Sequence, residues 1–275
     1  VDVDAFAMSS HPRRRPGVLR AVELLAAVPA LGGGCAALCA WEARRARQGP
    51  RPYERALAAD ALLGPAGPAV RVTWLGDSLA AGLGADDVAD TPAHTVARML
   101  ERAVEVRVLA VPGARVEDVL VRQLPRLDRS TDLVVVSVGA NDVAAGTSRG
   151  GYAARLDGLL AAVAPIPTIV LSLPDMAVPD RLAEPLRTLA GWRARWFEAA
   201  RQRVVAGHPH VRSVDVASRP VGMSRRDART HLCADHFHPG PLGYRVWAER
   251  IAAAAHEVLP PVGPPVALDG QRLAG

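Results

Sequence analysis

The sequence predicts an α/β protein, a three-layer sandwich built on a five-stranded, parallel, doubly wound sheet. Three observations predict it. The 275 residues are 49% hydrophobic, 22% charged and 4% aromatic, which is globular composition and not that of a disordered or collagenous chain. From residue 70 onward short β-branched runs alternate with segments of helical periodicity, the pattern of parallel strands joined by crossover helices. The runs are apolar on both sides, as in Leu133-Val134-Val135-Val136, which suits strands covered on both faces.

Residues 1–49 read as a basic segment followed by a hydrophobic anchor or signal. Val1 to Ala7 precede Met8, and Arg13 to Arg15 with Arg20 lead into an apolar run from Ala21 to Trp41. As a helix, residues 21–41 would reach ~30 Å, enough to contact or cross a membrane, although Glu23, Pro29 and Gly32 to Gly34 interrupt them. Arg44, Arg45 and Arg47 make the second flank basic as well, so loop charge does not orient the segment. A lipoprotein site at Cys35 is a poorer fit, because Gly32 stands where such a site wants Leu. The expectation is a membrane-anchored or secreted protein whose domain lies outside the cytoplasm.

Residues 50–69 carry four prolines and read as a linker with a short helix. The expected strands are Val70–Leu75, Val104–Val111, Leu133–Val138, Thr168–Leu173 and Val211–Val216. Helices are expected near 92–102, 115–127, 151–164 and 181–206, with a last one over 241–258. Residues 259–275 form a Pro-rich tail. There is no internal repeat.

Composition removes several functions. All 33 basic residues are arginine, so phosphate loops, Schiff bases and Ser-Lys dyads that need a lysine are excluded. Of the net charge of +5, most comes from the first 69 residues, and dispersed arginines with few aromatics give no support for nucleic-acid binding. Three cysteines, two of them in the apolar run, make no disulfide framework.

Doubly wound sheets carry their sites at the carboxyl ends of the strands. After the first strand comes Gly76-Asp77-Ser78-Leu79, a tight turn expected to enter a helix and present Ser78 where free N–H groups favour negative charge. An N-cap serine would suit the same place. Gly113 comes after the second strand, and Gly139-Ala140-Asn141-Asp142 after the third. Backbone N–H groups of Ser78 and Gly113 with the Asn141 amide would make a three-donor oxyanion hole, although Gly and Asn are also ordinary turn residues. Before the last helix stands His231-Leu232-Cys233-Ala234-Asp235-His236-Phe237-His238-Pro239. Asp235 and His238, three apart, suit a carboxylate holding one ring nitrogen while the other faces a serine hydroxyl; His236 is the competing base, and a zinc site is the other reading.

These four blocks, in this order over residues 70–258, resemble those of the GDSL or SGNH hydrolases, a family of esterases and lipases. The resemblance implies a flavodoxin-like sandwich, Ser78 as nucleophile, His238 as base then acid, and Asp235 as orienting carboxylate. It implies oxyanion donors at Ser78, Gly113 and Asn141, and no cofactor or metal. The expected substrate is a small-molecule, lipid or acylated-carbohydrate ester. Acyl transfer or deacetylation on envelope carbohydrate, or a module without turnover, are the alternatives.

Other residues have plainer readings. Leu189, Trp192, Trp196 and Ala200 recur at helical spacing and read as core, or as the lining of an acyl pocket. Asp77 reads as a turn former and Asp142 as a cap. His94, His208 and His210 read as surface or loop residues, Arg115 as a solvated one, and Cys233 has no assigned task.

Overall fold

A computed structural model describes residues 57–218 and 223–261, with Leu38 and Trp41. The rest of the anchor or signal run, and residues 262–275 of the tail, lie outside the described residues. Among the described residues no helix is long and apolar enough to cross a membrane.

The elements run β1 (Ala61–Leu63), β2 (Val70–Gly76), α1 (Pro92–Met99), β3 (Val104–Val108), α2 (116–126), β4 (Leu133–Ser137), α3 (Ala140–Ala144), α4 (Arg149–Val163), β5 (Thr168–Leu171), α5 (Leu186–Ala206), β6 (Val211–Val214), α6 (Arg225–Ala228) and α7 (Pro241–Val258). The sheet order is β1-β3-β2-β4-β5-β6. Its five parallel strands have the flavodoxin-like order, with the switch point between β2 and the strands on either side of it.

Strand alternation divides the interior in two. Trp74, Leu133, Val135 and Ile169 face the core shared with α1 and α7, where Val96, Tyr244 and Ile251 are buried. Leu75, Val134, Val136 and Val170 face the other, against Leu156, Leu159 and Leu160 of α4 and Phe197 of α5. β4 is buried at all five positions, which is why its first four residues, Leu133 to Val136, are an unbroken apolar run.

The sheet has six strands, not five, and it is mixed. β1 pairs antiparallel with β3, setting Ala61 opposite Val106 and Leu63 opposite Val104. It lies in the stretch read as a linker. Three residues among Gly and Pro carry no strand signal of their own; the strand forms because it covers an otherwise open edge of β3. Neighbouring bonds hold it there: Ala58 N–H donates to the Ala81 carbonyl at 2.9 Å, and Val108 N–H donates to Asp60 Oδ1 at 2.8 Å.

Further differences have local causes. α5 begins at Leu186, five residues later than expected, and leaves a long loop over 172–185. α2 is irregular, passing from α geometry at Val116–Asp118 through a π turn at Val119–Gln123 to a 3-10 turn at Leu124–Arg126, where Pro125 cannot donate the bond a regular helix needs. Leu189, Trp192 and Trp196 are not core residues: they are 44%, 47% and 49% exposed, and only Ala200 of that set is buried. His94 is buried in α1, where its Nε2 meets the Ala59 carbonyl at 2.7 Å. Leu259, at the start of the tail, packs into the first core.

Candidate active site

The turn after β2 is shaped by Gly76. Its φ of +140° lies where L side chains rarely go, and a Cβ there would stand 1.9 Å from the Ser137 carbonyl oxygen. The Gln123 side chain, buried under this turn, accepts from Gly76 N–H and donates to the Gly76 carbonyl, both at 2.8 Å. Asp77 N–H donates to the Ser137 carbonyl, and Leu79 N–H to Asp77 Oδ1, each at 3.0 Å. Ser78 is thereby fixed above the edge of the sheet. Residues 78–84 form a set of turns and not the expected helix, because Gly82 and Gly84 both take positive φ. No helix dipole therefore acts at Ser78.

The loop over 231–240 folds back on itself through Cys233 N–H to the His238 carbonyl and Gly240 N–H to the His231 carbonyl, both 2.8 Å. Within it Asp235 Oδ1 accepts from the backbone N–H groups of Phe237 at 2.8 Å and His238 at 2.9 Å. That local wrap turns a spacing of three into direct contact: His238 Nδ1 lies 2.6 Å from Asp235 Oδ2. His238 Nε2 lies 3.1 Å from Ser78 Oγ. The other candidate base, His236, points elsewhere; its ring is 68% exposed and Nδ1 lies 3.2 Å from Asp180.

Asp235 is almost wholly buried, which by itself would raise its pKa. Hydrogen bonds from the His238 ring, the Cys233 thiol and the His238 backbone outweigh that, and hold the carboxyl at about 2. Cys233 Sγ lies 3.0 Å from Asp235 Oδ1; burial and the carboxylate push this thiol up to about 12. Arg181 adds a positive charge 4.0 Å from Asp235 Oδ2.

Ser78, Gly113, Asn141 and His238 all border one cavity of about 370 Å³. Neither Ser78 N–H nor Gly113 N–H has an acceptor among the described residues. Asn141 Nδ2 donates to the Ala114 carbonyl at 3.0 Å, which uses one of the amide's two N–H groups. Gly113 has φ +84°, and a Cβ on it would meet nothing within 4 Å. The walls are largely apolar, with Leu79, Leu83, Met176, Val178, Phe237 and Trp247 among them.

Two buried acids stand behind the site. Burial, opposed by the Leu79 N–H and reinforced by Asp142, pushes Asp77 up to about 7, and Asp77 Oδ2 has no partner among the described residues. Asp142 is raised by burial as well; it accepts from Val116 N–H at 3.1 Å and so ties α3 to the start of α2. Gln123 and Gly84 are the functional positions that sequence reasoning missed. Gln123 sits in an irregular helix with no motif around it, and the role of Gly84 depends on a loop about 150 residues away. Cys233 and His238 both meet Asp235 while His236 turns to Asp180, and among the described residues no three such side chains are grouped to hold a metal.

A doubly wound sheet of this order, carrying these side chains at the carboxyl edge of its parallel strands, defines an α/β/α sandwich. The chain belongs to the GDSL-like lipase/acylhydrolase family, whose model matches residues 74–246. Its fold is similar to that of a lipase/acylhydrolase from Enterococcus faecalis, 21% identical with a TM-score of 0.56, over 71% of this chain and 100% of that one. It is also similar to a phospholipase A1 from Streptomyces albidoflavus NA297, 22% identical with a TM-score of 0.51, over 68% of this chain and 99% of that one. No curated protein matches the chain.

Proposed function

We propose that the protein is a serine esterase that cleaves carboxylic esters with an apolar acyl group through an acyl-enzyme. Ser78 Oγ attacks the ester carbonyl as His238 Nε2 takes its proton, and Asp235 holds Nδ1–H and balances the imidazolium. The tetrahedral oxyanion is held by Ser78 N–H, Gly113 N–H and the Asn141 amide. The alcohol leaves with the proton from His238. Water activated by the same ring then releases the acid and restores Ser78.

One observation carries this reading: Ser78 Oγ, His238 and Asp235 are joined at 3.1 and 2.6 Å, and Ser78 and His238 line a largely apolar cavity of about 370 Å³. The apolar walls favour an acyl chain of several carbons over acetyl. The working unit is the domain over 70–258 with β1 added at its edge, and the apolar run over 21–41 supports an envelope location, anchored or secreted.

The test is labelling of the purified protein by a fluorophosphonate, with Ser78→Ala and His238→Ala as controls, beside hydrolysis of p-nitrophenyl esters of increasing acyl length. Labelling and turnover that both vanish in Ser78→Ala are expected. Turnover surviving in Ser78→Ala ends the proposal.

A further inference from the structure

The outer face of α5 is apolar and cationic, with nothing among the described residues covering it. Leu189, Trp192 and Trp196 succeed one another at intervals of three and four residues, each close to half exposed, and the two indole rings pack 4.0 Å apart. Along the helix the exposed residues include Arg195 and Arg203, which make no ion pair among the described residues, and no acid. The one acid of α5, Glu198, turns inward to the buried Arg201 at 2.6 Å.

Position adds to composition. α5 begins where the 172–185 loop ends; that loop leaves the carboxyl end of β5 and walls the cavity through Pro174, Met176 and Val178. Gly191 of α5 lies against Ala177 of the same loop, close enough that a Cβ would stand 2.8 Å from the Ala177 Cβ. The first turns of α5, with Leu189 and Trp192, therefore lie toward the cavity's end of the sheet, and Trp196 follows at mid-helix. An indole prefers the boundary between headgroups and acyl chains, and an arginine beside it is drawn to anionic headgroups.

We propose that this face of α5 docks on an anionic phospholipid surface, bringing the cavity to esters dissolved in it. Charge selects this occupant, because a second copy of the same all-cationic face would be repelled. The docking stands by itself; the source of the ester rests on the esterase reading above.

The test uses the full chain carrying Ser78→Ala, so that hydrolysis plays no part, and Trp41→Phe, so that the apolar run over 21–41 adds no tryptophan signal, with vesicles of phosphatidylcholine and phosphatidylserine that have brominated acyl chains. Tryptophan emission should be quenched, and that quenching lost in Trp192→Phe/Trp196→Phe. Vesicle binding should weaken roughly tenfold or more in Trp192→Ala/Trp196→Ala. Arg195→Gln and Arg203→Gln should each weaken it about fivefold, as added salt does. Quenching that is absent, or undiminished in the double Phe variant, overturns the proposal. So does shielding of both tryptophans from acrylamide without lipid, since another part of the chain or a second copy then covers them. With Ser78 present, Trp192→Ala/Trp196→Ala should keep its rate on a soluble short ester and lose it on an ester carried in vesicles. If the unsubstituted protein hydrolyses neither ester, the esterase reading fails and the docking result is unaffected.

Discussion

Gly84 and His238 are in backbone-tight contact: a Cβ on Gly84 would stand 3.2 Å from His238 Cβ and 2.5 Å from the Pro239 carbonyl oxygen. The turns that carry the serine and the loop that carries the base thus meet with no room for a side chain. Gly84 also has φ +103°, which an L residue rarely adopts.

Gly84→Ala is therefore expected to push the base away from Ser78. Misplacement on the ~1 Å scale lowers kcat by roughly 10²-fold. Steady-state kinetics with circular dichroism check this, and unchanged kcat in a folded variant would falsify it.

On the proposed mechanism, Asn141→Ala removes one of three donors to the oxyanion. The expected loss is ~10²–10³-fold in kcat, the usual scale for one such donor, with little change in KM. An equal loss confined to KM would instead make Asn141 a ground-state binding group.

Gln123→Met keeps the shape of the side chain and removes both bonds to Gly76. Gly76 N–H then has no acceptor, while the Gly76 carbonyl keeps Val111 N–H at 3.1 Å. An unsatisfied buried donor destabilises by about 1–3 kcal/mol. Urea unfolding should show that loss, and kcat should fall beyond it because Ser78 is two residues from the released glycine. Stability lost with kcat intact would confine Gln123 to the fold.

Asp77 and Asp235 bend the pH dependence of stability in opposite directions. Asp77 keeps its proton in the fold up to about 7, against an ordinary value of 3.8. Its contribution is therefore fully present below 3.8 and is lost as pH rises to about 7, by up to about 4 kcal/mol. Asp235 stays ionised down to about 2, so its contribution is present above 3.8 and lost as pH falls through 2. Unfolding of Asp77→Asn measured across about pH 4 to 8 should lack the decline seen in the unsubstituted protein. A parallel decline in both would remove Asp77 as its source.

The parallel strands and the four motif loops were legible because each is written in contiguous residues. An apolar run such as that of β4 announces burial on both faces, and an Asp three residues before a His can meet it within one loop. The features that sequence left unread depend on distant partners. β1 exists because β3 has an edge to cover, Gln123 matters only under Gly76, and Trp192 and Trp196 have core spacing on a face that no other described residue covers. The helix expected at Ser78 failed because two positive-φ glycines, Gly82 and Gly84, come so soon after it.

Ser78 and His238 are separated by 160 residues of chain, and His238 is succeeded at once by α7, which packs on α1 and whose Tyr244 hydroxyl donates to the Leu83 carbonyl at 2.7 Å. Synthesis proceeds from the amino end, so Ser78 is made well before His238 and the α7 that follows it. The Ser78–His238 pair is thus among the final long-range contacts to close. On the proposed mechanism, a chain cut before residue 238 would carry Ser78 without its base.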